Sequence, residues 1–223
     1  MSTKWNITPK EAVQLQKALQ GKVIIQPLTK PVRVIGGCDV SMSMFAKDGY
    51  AGFVTMTYPD LIDTGHSVSR GKIPFPYIPG LLSFREIPML HEAWQKLDPK
   101  PDLIIVDGVG IAHPRRLGIA SHLGIELGIP TIGCAKSVLT GVYEEPDNVP
   151  GAYSYMYDKK NDIIGAAVRT KRNVKPVFVS PGHLVTLEES IEIVLSCVIK
   201  HRLPEPTRRA HNTMNEYRIR DLG

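Results

Sequence analysis

Apolar positions change period several times along the chain. Thr8-Pro9-Lys10-Glu11 has the form of a capping box with proline in the first turn, and Ala12, Leu15 and Leu19 follow at helical spacing, so a helix opens the protein. Three strand-like runs come next, Val32 to Met42, Tyr50 to Tyr58 and Leu61 to Lys72, with turns expected at Asp48-Gly49 and at Asp60. They read as an antiparallel meander. After a Pro-rich stretch, Ile73 to Gly80, the pattern predicts a helix to about Leu97, a buried strand Leu103 to Asp107, a helix around Leu117 to Leu127 and a strand Thr131 to Cys134. Strands Ile163 to Thr170 and Val177 to Ser180 precede a helix capped by Thr186 with Glu189 three residues on, and a last helix begins near Pro206. A meander followed by alternating strand and helix implies crossovers onto one sheet, a mixed α/β sandwich. No repeat or linker divides the pattern, so one domain over residues 1–223 is expected.

Composition narrows the class only slightly. A chain of 223 residues, 43% hydrophobic, can bury one substantial core. Its longest purely aliphatic run, Leu103 to Val106, is too short to span a bilayer, and Met1 to Lys10 lacks an apolar core of signal-peptide length, so a cytoplasmic protein without a membrane partner is expected. Cys38, Cys134 and Cys197 are odd in number and widely spaced, which suggests neither a disulfide framework nor a zinc site. The histidines His113 and His122 have no third ligand at a recognisable spacing either. A net charge of +5 suits a polyanionic partner but is shared by many ordinary basic proteins.

Three acids are harder to explain as structure. At 100° per residue, Leu82, Met89, Leu90, Ala93 and Leu97 all fall within about 60° of Glu86, placing a carboxylate at the centre of an apolar helix face, with Pro88 making the angles approximate. Such a group needs a buried Arg or Lys, a hydrogen-bond network or a metal. Asp107 ends an apolar strand, where ligands of α/β sheets gather and where Asp before Gly108 also serves to cap a turn. Asp39 lies on the first strand beside Gly36 and Gly37, where a neighbour or ligand can approach the backbone; alone it reads equally as a strand-end acid. The order of the three resembles that of a ribonuclease H-like fold, a mixed central sheet flanked by helices. There the first and fourth strands are neighbours, bringing Asp39 beside Asp107 with Glu86 close by. Three hard oxygen ligands suit Mg²⁺, with Mn²⁺ as a substitute, and phosphodiester chemistry.

Five strings then become specific together: Phe75-Pro76-Tyr77-Ile78-Pro79-Gly80-Leu81-Leu82-Ser83-Phe84-Arg85-Glu86; Val106-Asp107-Gly108-Val109-Gly110-Ile111-Ala112-His113-Pro114-Arg115; Gly133-Cys134-Ala135-Lys136-Ser137; Val179-Ser180-Pro181-Gly182-His183; and Pro204-Glu205-Pro206-Thr207-Arg208-Arg209-Ala210-His211. In this order they resemble the signatures of the endonuclease V family over nearly the whole chain. The resemblance implies a metal-dependent endonuclease, expected to be a monomer, that recognises hypoxanthine in nucleic acid. It implies hydrolysis of the second phosphodiester bond 3′ to the lesion, leaving 3′-hydroxyl and 5′-phosphate ends, in repair of deaminated DNA, with inosine-containing RNA as an alternative substrate.

By the same resemblance Asp39, Glu86 and Asp107 hold the metal and Lys136 and His211 complete the catalytic set. On residue type alone, Lys136 reads as a surface lysine and His211 as a core-edge histidine. Pro76, Tyr77, Ile78 and Pro79 resemble the wedge that fills the gap left by an extruded base. Leu82, Gly108, Gly110, His113, Ile119 and Leu139 would form the base pocket, Gly108 and Gly110 through accessible backbone groups. Arg115 and Arg116 suit backbone phosphates or are merely solvated. The sequence departs from the family's pattern at Val109, where a polar residue is expected, at Cys38, and in the run Met42-Ser43-Met44-Phe45. Two readings compete: a structure-specific or RNA-directed nuclease of the same fold, and a non-catalytic nucleic-acid-binding protein, which would have no use for three clustered acids. A small-molecule phosphotransferase would need a glycine-rich phosphate loop that the chain lacks.

Overall fold

The computed structural model describes residues 5–42 and 47–222. Helix α1 (Pro9–Gln20) starts at the expected capping box: the Thr8 hydroxyl accepts from the Glu11 amide at 3.3 Å and the Glu11 carboxylate accepts from the Thr8 amide at 2.7 Å. Strands β1 (Val34–Ser41), β2 (Asp48–Thr57) and β3 (Asp63–Lys72) form the antiparallel meander. Asp48 and Gly49 do not make the expected turn; both are already paired with β3, opposite Lys72 and Gly71. Of the unusual run after Asp39, Ser43, Met44 and Phe45 lie outside the described residues.

Helix α2 (Leu82–Lys96) carries Pro88 in its interior and leads into β4 (Leu103–Val106), which pairs parallel to β1. Helix α3 (Ile119–Leu127) ends at Gly128, whose left-handed φ of 68° is a conformation that favours glycine. Strand β5 (Thr131–Ala135) follows, parallel to β4. Then come β6 (Val142–Tyr143), β7 (Tyr153–Tyr157), β8 (Ile163–Val168), β9 (Val177–His183), α4 (Leu187–Ser196) and α5 (Glu205–Leu222). The nine strands form one sheet in the order β3-β2-β1-β4-β5-β9-β8-β7-β6. This is the expected mixed central sheet flanked by helices, with β1 and β4 adjacent.

The sheet's two faces separate cleanly along β4. Leu103 and Ile105 join the core beneath α4, with Ile191 and Val194, whereas Ile104 and Val106 join the core beneath α2 and α3, with Ile87, Leu90 and Leu123. All four are buried, as a continuous apolar strand covered on both sides requires. Helix α5 lies against β1 and β2, and the glycines of β1 explain how closely. A Cβ on Gly37 would sit 2.1 Å from the carbonyl oxygen of Pro206, so only glycine lets the start of α5 reach the strand. That approach brings α5 over the carboxyl end of β1. No helix among the described residues is long and apolar enough to cross a membrane.

Candidate active site

Strand register sets the first two acids side by side. Cys38 pairs with Val106, so Asp39 and Asp107, one residue further along each strand, are neighbours at the carboxyl end of β4. Asp39 shares its face with Ile35 and Gly37, the side that α5 covers, and there His211 meets it: Nδ1 of His211 lies 3.0 Å from Oδ2 of Asp39. Asp39, Asp107 and His211 each place one ligand-type atom within 4.8 Å of the others. Glu86 reaches the same cleft from α2, on the opposite side of the sheet, and stands outside that tight group. Lys136, just past β5, closes the far side with its ammonium 2.5 Å from Oδ2 of Asp107. The cleft holds about 650 Å³.

Like charges gathered at partial burial have the expected consequence. Burial, then the charges of Asp39 and Asp107, push the Glu86 carboxyl up to about 8, and Arg85 only partly opposes them. Among the described residues Glu86 forms no ion pair, so the alternative of a salt-bridged structural acid finds no partner. Burial and the charge of Asp107 likewise raise Asp39, against the pull of His211 and Lys136. A site of oxygen donors whose acids repel one another fits a hard divalent cation, which would relieve the repulsion. Lys136 places a positive charge beside Asp107.

A second compartment, about 210 Å³, opens beside the cleft. Tyr77, Ile78, Pro79, Leu82, Gly108, His113, Ile119 and Leu139 line it, as do Gln16, Ser83, Val109, Gly118 and Ser137. Tyr77 and Leu82 line both compartments, and the chain steps directly from one to the other at Asp107-Gly108 and again at Lys136-Ser137. Tyr77 is 70% exposed, an aromatic ring held outward between prolines.

Gly110, expected in the base pocket, is placed otherwise. Gly110 does not line the pocket: its N–H donates to the Ser180 hydroxyl at 2.8 Å, its carbonyl accepts from Gly118, and a Cβ there would meet the carbonyl oxygen of Pro181 at 2.0 Å. It is a packing glycine, buried where the loop after β4 crosses β9. Pro76, expected in the wedge, is exposed and stands outside the pocket's wall. The arginines are committed within the protein as well. Arg115 donates to the carbonyl of Gly80 and to Gln16, and Arg116 pairs with Asp158 and Asp162 at 2.7 and 3.2 Å.

Around Gly80 those bonds converge. Its carbonyl accepts from Gln16 at 3.0 Å and Arg115 at 2.8 Å and lies 3.0 Å from Nε2 of His113, whose Nδ1 accepts from the Arg115 amide at 3.1 Å. With Nδ1 accepting, Nε2 carries the hydrogen and donates. Burial and the neighbouring Arg115 charge hold His113 down at about 4, so it is neutral and fastens the loop carrying Tyr77 while lining the pocket. Gly80 itself has φ 79°, the left-handed turn from loop to α2.

A family model described as Endonuclease V matches residues 17–212. The chain belongs to the Endonuclease V family. Endonuclease V of Dictyoglomus thermophilum is 52% identical over 202 residues, covering 90% of this chain and 87% of that protein. That of Myxococcus xanthus is 42% identical over 220 residues, covering 98% and 93%. The solved structure of Endonuclease V from Streptomyces avermitilis superposes with a TM-score of 0.93 at 38% identity, covering 100% of this chain and 98% of that one. Endonuclease V of Ciona intestinalis, solved in complex with a DNA containing an inosine followed by a ribo-adenosine, matches with a TM-score of 0.86 at 30% identity over 97% of this chain and 100% of that one.

This Endonuclease V family member also carries cleft residues that the sequence reading passed over. Ser41, Asn215 and Arg218 line the cleft. The last two follow His211 at four and seven residues on α5, a helical spacing that would have singled them out once His211 was.

Proposed function

We propose that this endonuclease recognises hypoxanthine in a nucleic acid strand, receives the extruded base in the smaller pocket, and hydrolyses the second phosphodiester bond 3′ to it. Mg²⁺, replaceable by Mn²⁺, is the metal of this reading, held by Asp39, Asp107 and Glu86. The observation that carries the proposal is the shared wall: Leu82 and Tyr77 border both compartments, so a base seated in one holds its own strand against the acids of the other. The inosine-containing DNA bound by the Ciona intestinalis relative supports the choice of base.

Each side chain has work consistent with that chemistry. Tyr77, stiffened by Pro76 and Pro79, fills the gap left in the stack. The apolar wall of Leu82, Ile119 and Leu139 packs the ring, and pocket width excludes the exocyclic amine that distinguishes guanine. When bound, a divalent cation supplies charge neutralisation at the phosphodiester and makes the attacking water more acidic. Lys136, whose ammonium already lies in the cleft, stabilises charge developing on the phosphate, and His211 holds Asp39 in place. Val109, where a polar residue was expected, leaves base reading to the backbone and to the shape of the cavity.

The test is a panel of labelled strands, in DNA and in RNA, carrying inosine, adenosine, guanosine, uracil or an abasic site, incubated with Mg²⁺ or with EDTA. Cutting 3′ to inosine alone, dependent on Mg²⁺, is expected. Equal cutting of every strand would overturn the specificity and favour a structure-directed nuclease, while tight inosine binding without cutting would leave a recognition protein.

A further inference from the structure

Four hydrogen bonds along one wall of the cleft run in a single direction. Arg218 Nε lies 2.9 Å from the Ser41 hydroxyl oxygen, Ser41 lies 2.6 Å from Oδ1 of Asn215, Nδ2 of Asn215 lies 2.9 Å from Nε2 of His211, and Nδ1 of His211 lies 3.0 Å from Oδ2 of Asp39. Donor chemistry fixes the sense of each. A guanidinium nitrogen can only donate, so Ser41 accepts there and turns its own hydrogen to Asn215. The amide oxygen of Asn215 is thereby held toward Ser41 and its NH₂ toward His211. An amide nitrogen also only donates, so Nε2 of His211 presents its lone pair and the ring hydrogen resides on Nδ1, aimed at Asp39.

The backbone makes this arrangement natural. Asp39 and Ser41 are two apart on β1 and point to one face, while His211, Asn215 and Arg218 stand at i, i+4 and i+7 on α5 and point to one face of that helix. Strand and helix are brought into contact at Gly37 and Pro206. Ser41 is buried, 6% exposed, which shields the Arg218–Ser41–Asn215 end of the chain from competing solvent, while His211 is open to the cleft.

We infer that Asn215 is a positioning residue: locked by Ser41 and Arg218, it fixes His211 in the Nδ1–H form and so sets the orientation of the Asp39 carboxylate in the metal-free protein. Oδ2 of Asp39 is engaged by His211, which leaves the second carboxylate oxygen for the cation. Residues that orient a ligand from behind commonly change metal affinity or activity about 10–100-fold when replaced. Only the activity arm of the test rests on the nuclease reading.

Asn215→Asp is the discriminating variant, because it keeps the shape of the side chain but replaces the donor facing His211 with an acceptor. Nitrogen-15 NMR of the metal-free, histidine-labelled protein, with the signal assigned by its loss in His211→Gln, reads the tautomer without substrate. The wild type is expected to show Nδ1 protonated and Nε2 bare, and Asn215→Asp to place a proton on Nε2. Mn²⁺ affinity measured by electron paramagnetic resonance, and kcat on an inosine strand, should each fall about 10–100-fold with KM unchanged. Ser41→Ala, which leaves Asn215 present but unlocked, should give a smaller loss of the same kind and serves if Asn215→Asp folds poorly. Protonated Nε2 in the wild type, or a wild-type NMR signature and Mn²⁺ affinity in both variants, would overturn the inference. A wild type that fails to cut inosine strands would instead sink the substrate reading and leave the NMR result untouched.

Discussion

The cleft and the pocket share a wall and are built on opposite principles. In the cleft, three carboxylates from two strands and a helix face one another, and Glu86 is pushed up to about 8 by burial and by its neighbours. In the pocket, polar groups are spent on the protein itself: Gln16, His113 and Arg115 all serve the carbonyl of Gly80, and what remains facing the cavity is largely apolar. One region stores electrostatic frustration that a cation relieves, and the other has its polar groups satisfied before any ligand arrives. The difference teaches where substitutions should act: on turnover in the cleft, on selectivity in the pocket.

The largest effect should follow removal of a cleft acid. Asp107→Ala is expected to lower kcat about a thousandfold or more, several kcal/mol of transition-state stabilisation, while binding of an inosine strand in Ca²⁺ persists. Lys136→Ala should come next, with kcat down about 100–1,000-fold and KM little changed in steady-state cleavage, as for loss of one donor to developing charge. A KM effect alone would place Lys136 in strand binding.

Two glycines two residues apart sharpen the comparison further. A Cβ on Gly108 meets Cγ2 of Ile119 at 2.5 Å within the pocket wall, so Gly108→Ala should reduce the preference for inosine over adenosine by about tenfold, near 1.4 kcal/mol, with cutting retained. Gly110→Ala instead meets the backbone of Pro181 at 2.0 Å and should destabilise the fold by about 1–3 kcal/mol or more, read by denaturant melts. Equal effects on stability would erase the distinction between a pocket glycine and a packing glycine.

The pH dependence of stability has opposite signs in the two regions. Glu86 is raised from 4.5 to about 8, so the native metal-free protein holds the extra proton in that interval and stability is lost as pH rises from 4.5 through 8. Glu86→Gln, or a divalent cation with the native acid, should flatten that loss. Burial lowers His113 from 6.5 to about 4, so its contribution is complete above 6.5 and is lost as pH falls toward 4. His122 acts in the same sense, lowered to about 4 by burial. Thermal melts across this range, with each variant, separate the contributions.

Much of this architecture was legible before the structure. The capping boxes at Thr8 and Thr186, the meander and the apolar run of β4 are local patterns, and local patterns survive in one dimension. Strands β6 and β7 escaped because one is two residues long and the other, Tyr153-Ser154-Tyr155-Met156-Tyr157, alternates in a way that only its period of two reveals. Asp48-Gly49 has the composition of a turn, yet pairing with β3 holds it in a strand. At the candidate site the acids stood out because a carboxylate on an apolar face is costly. What each polar group bonds to was not legible: that Gly110 spends its amide on Ser180, that Arg115 fastens Gly80, or that Ser41 holds Asn215 depends on residues 35 to 174 positions apart in sequence. Such pairings are decided by the register of strands and the docking of α5.

The central claim is that one strand occupies both compartments at once, its base in the pocket and its phosphate at the acids. Its most direct test is to measure, with the same labelled DNA, binding and Mg²⁺-dependent nicking by the wild type and by Asp39→Asn. The account predicts that Asp39→Asn keeps its preference for inosine over adenosine in binding while nicking falls to background. Loss of the inosine preference together with nicking, or undiminished nicking by the variant, would contradict it.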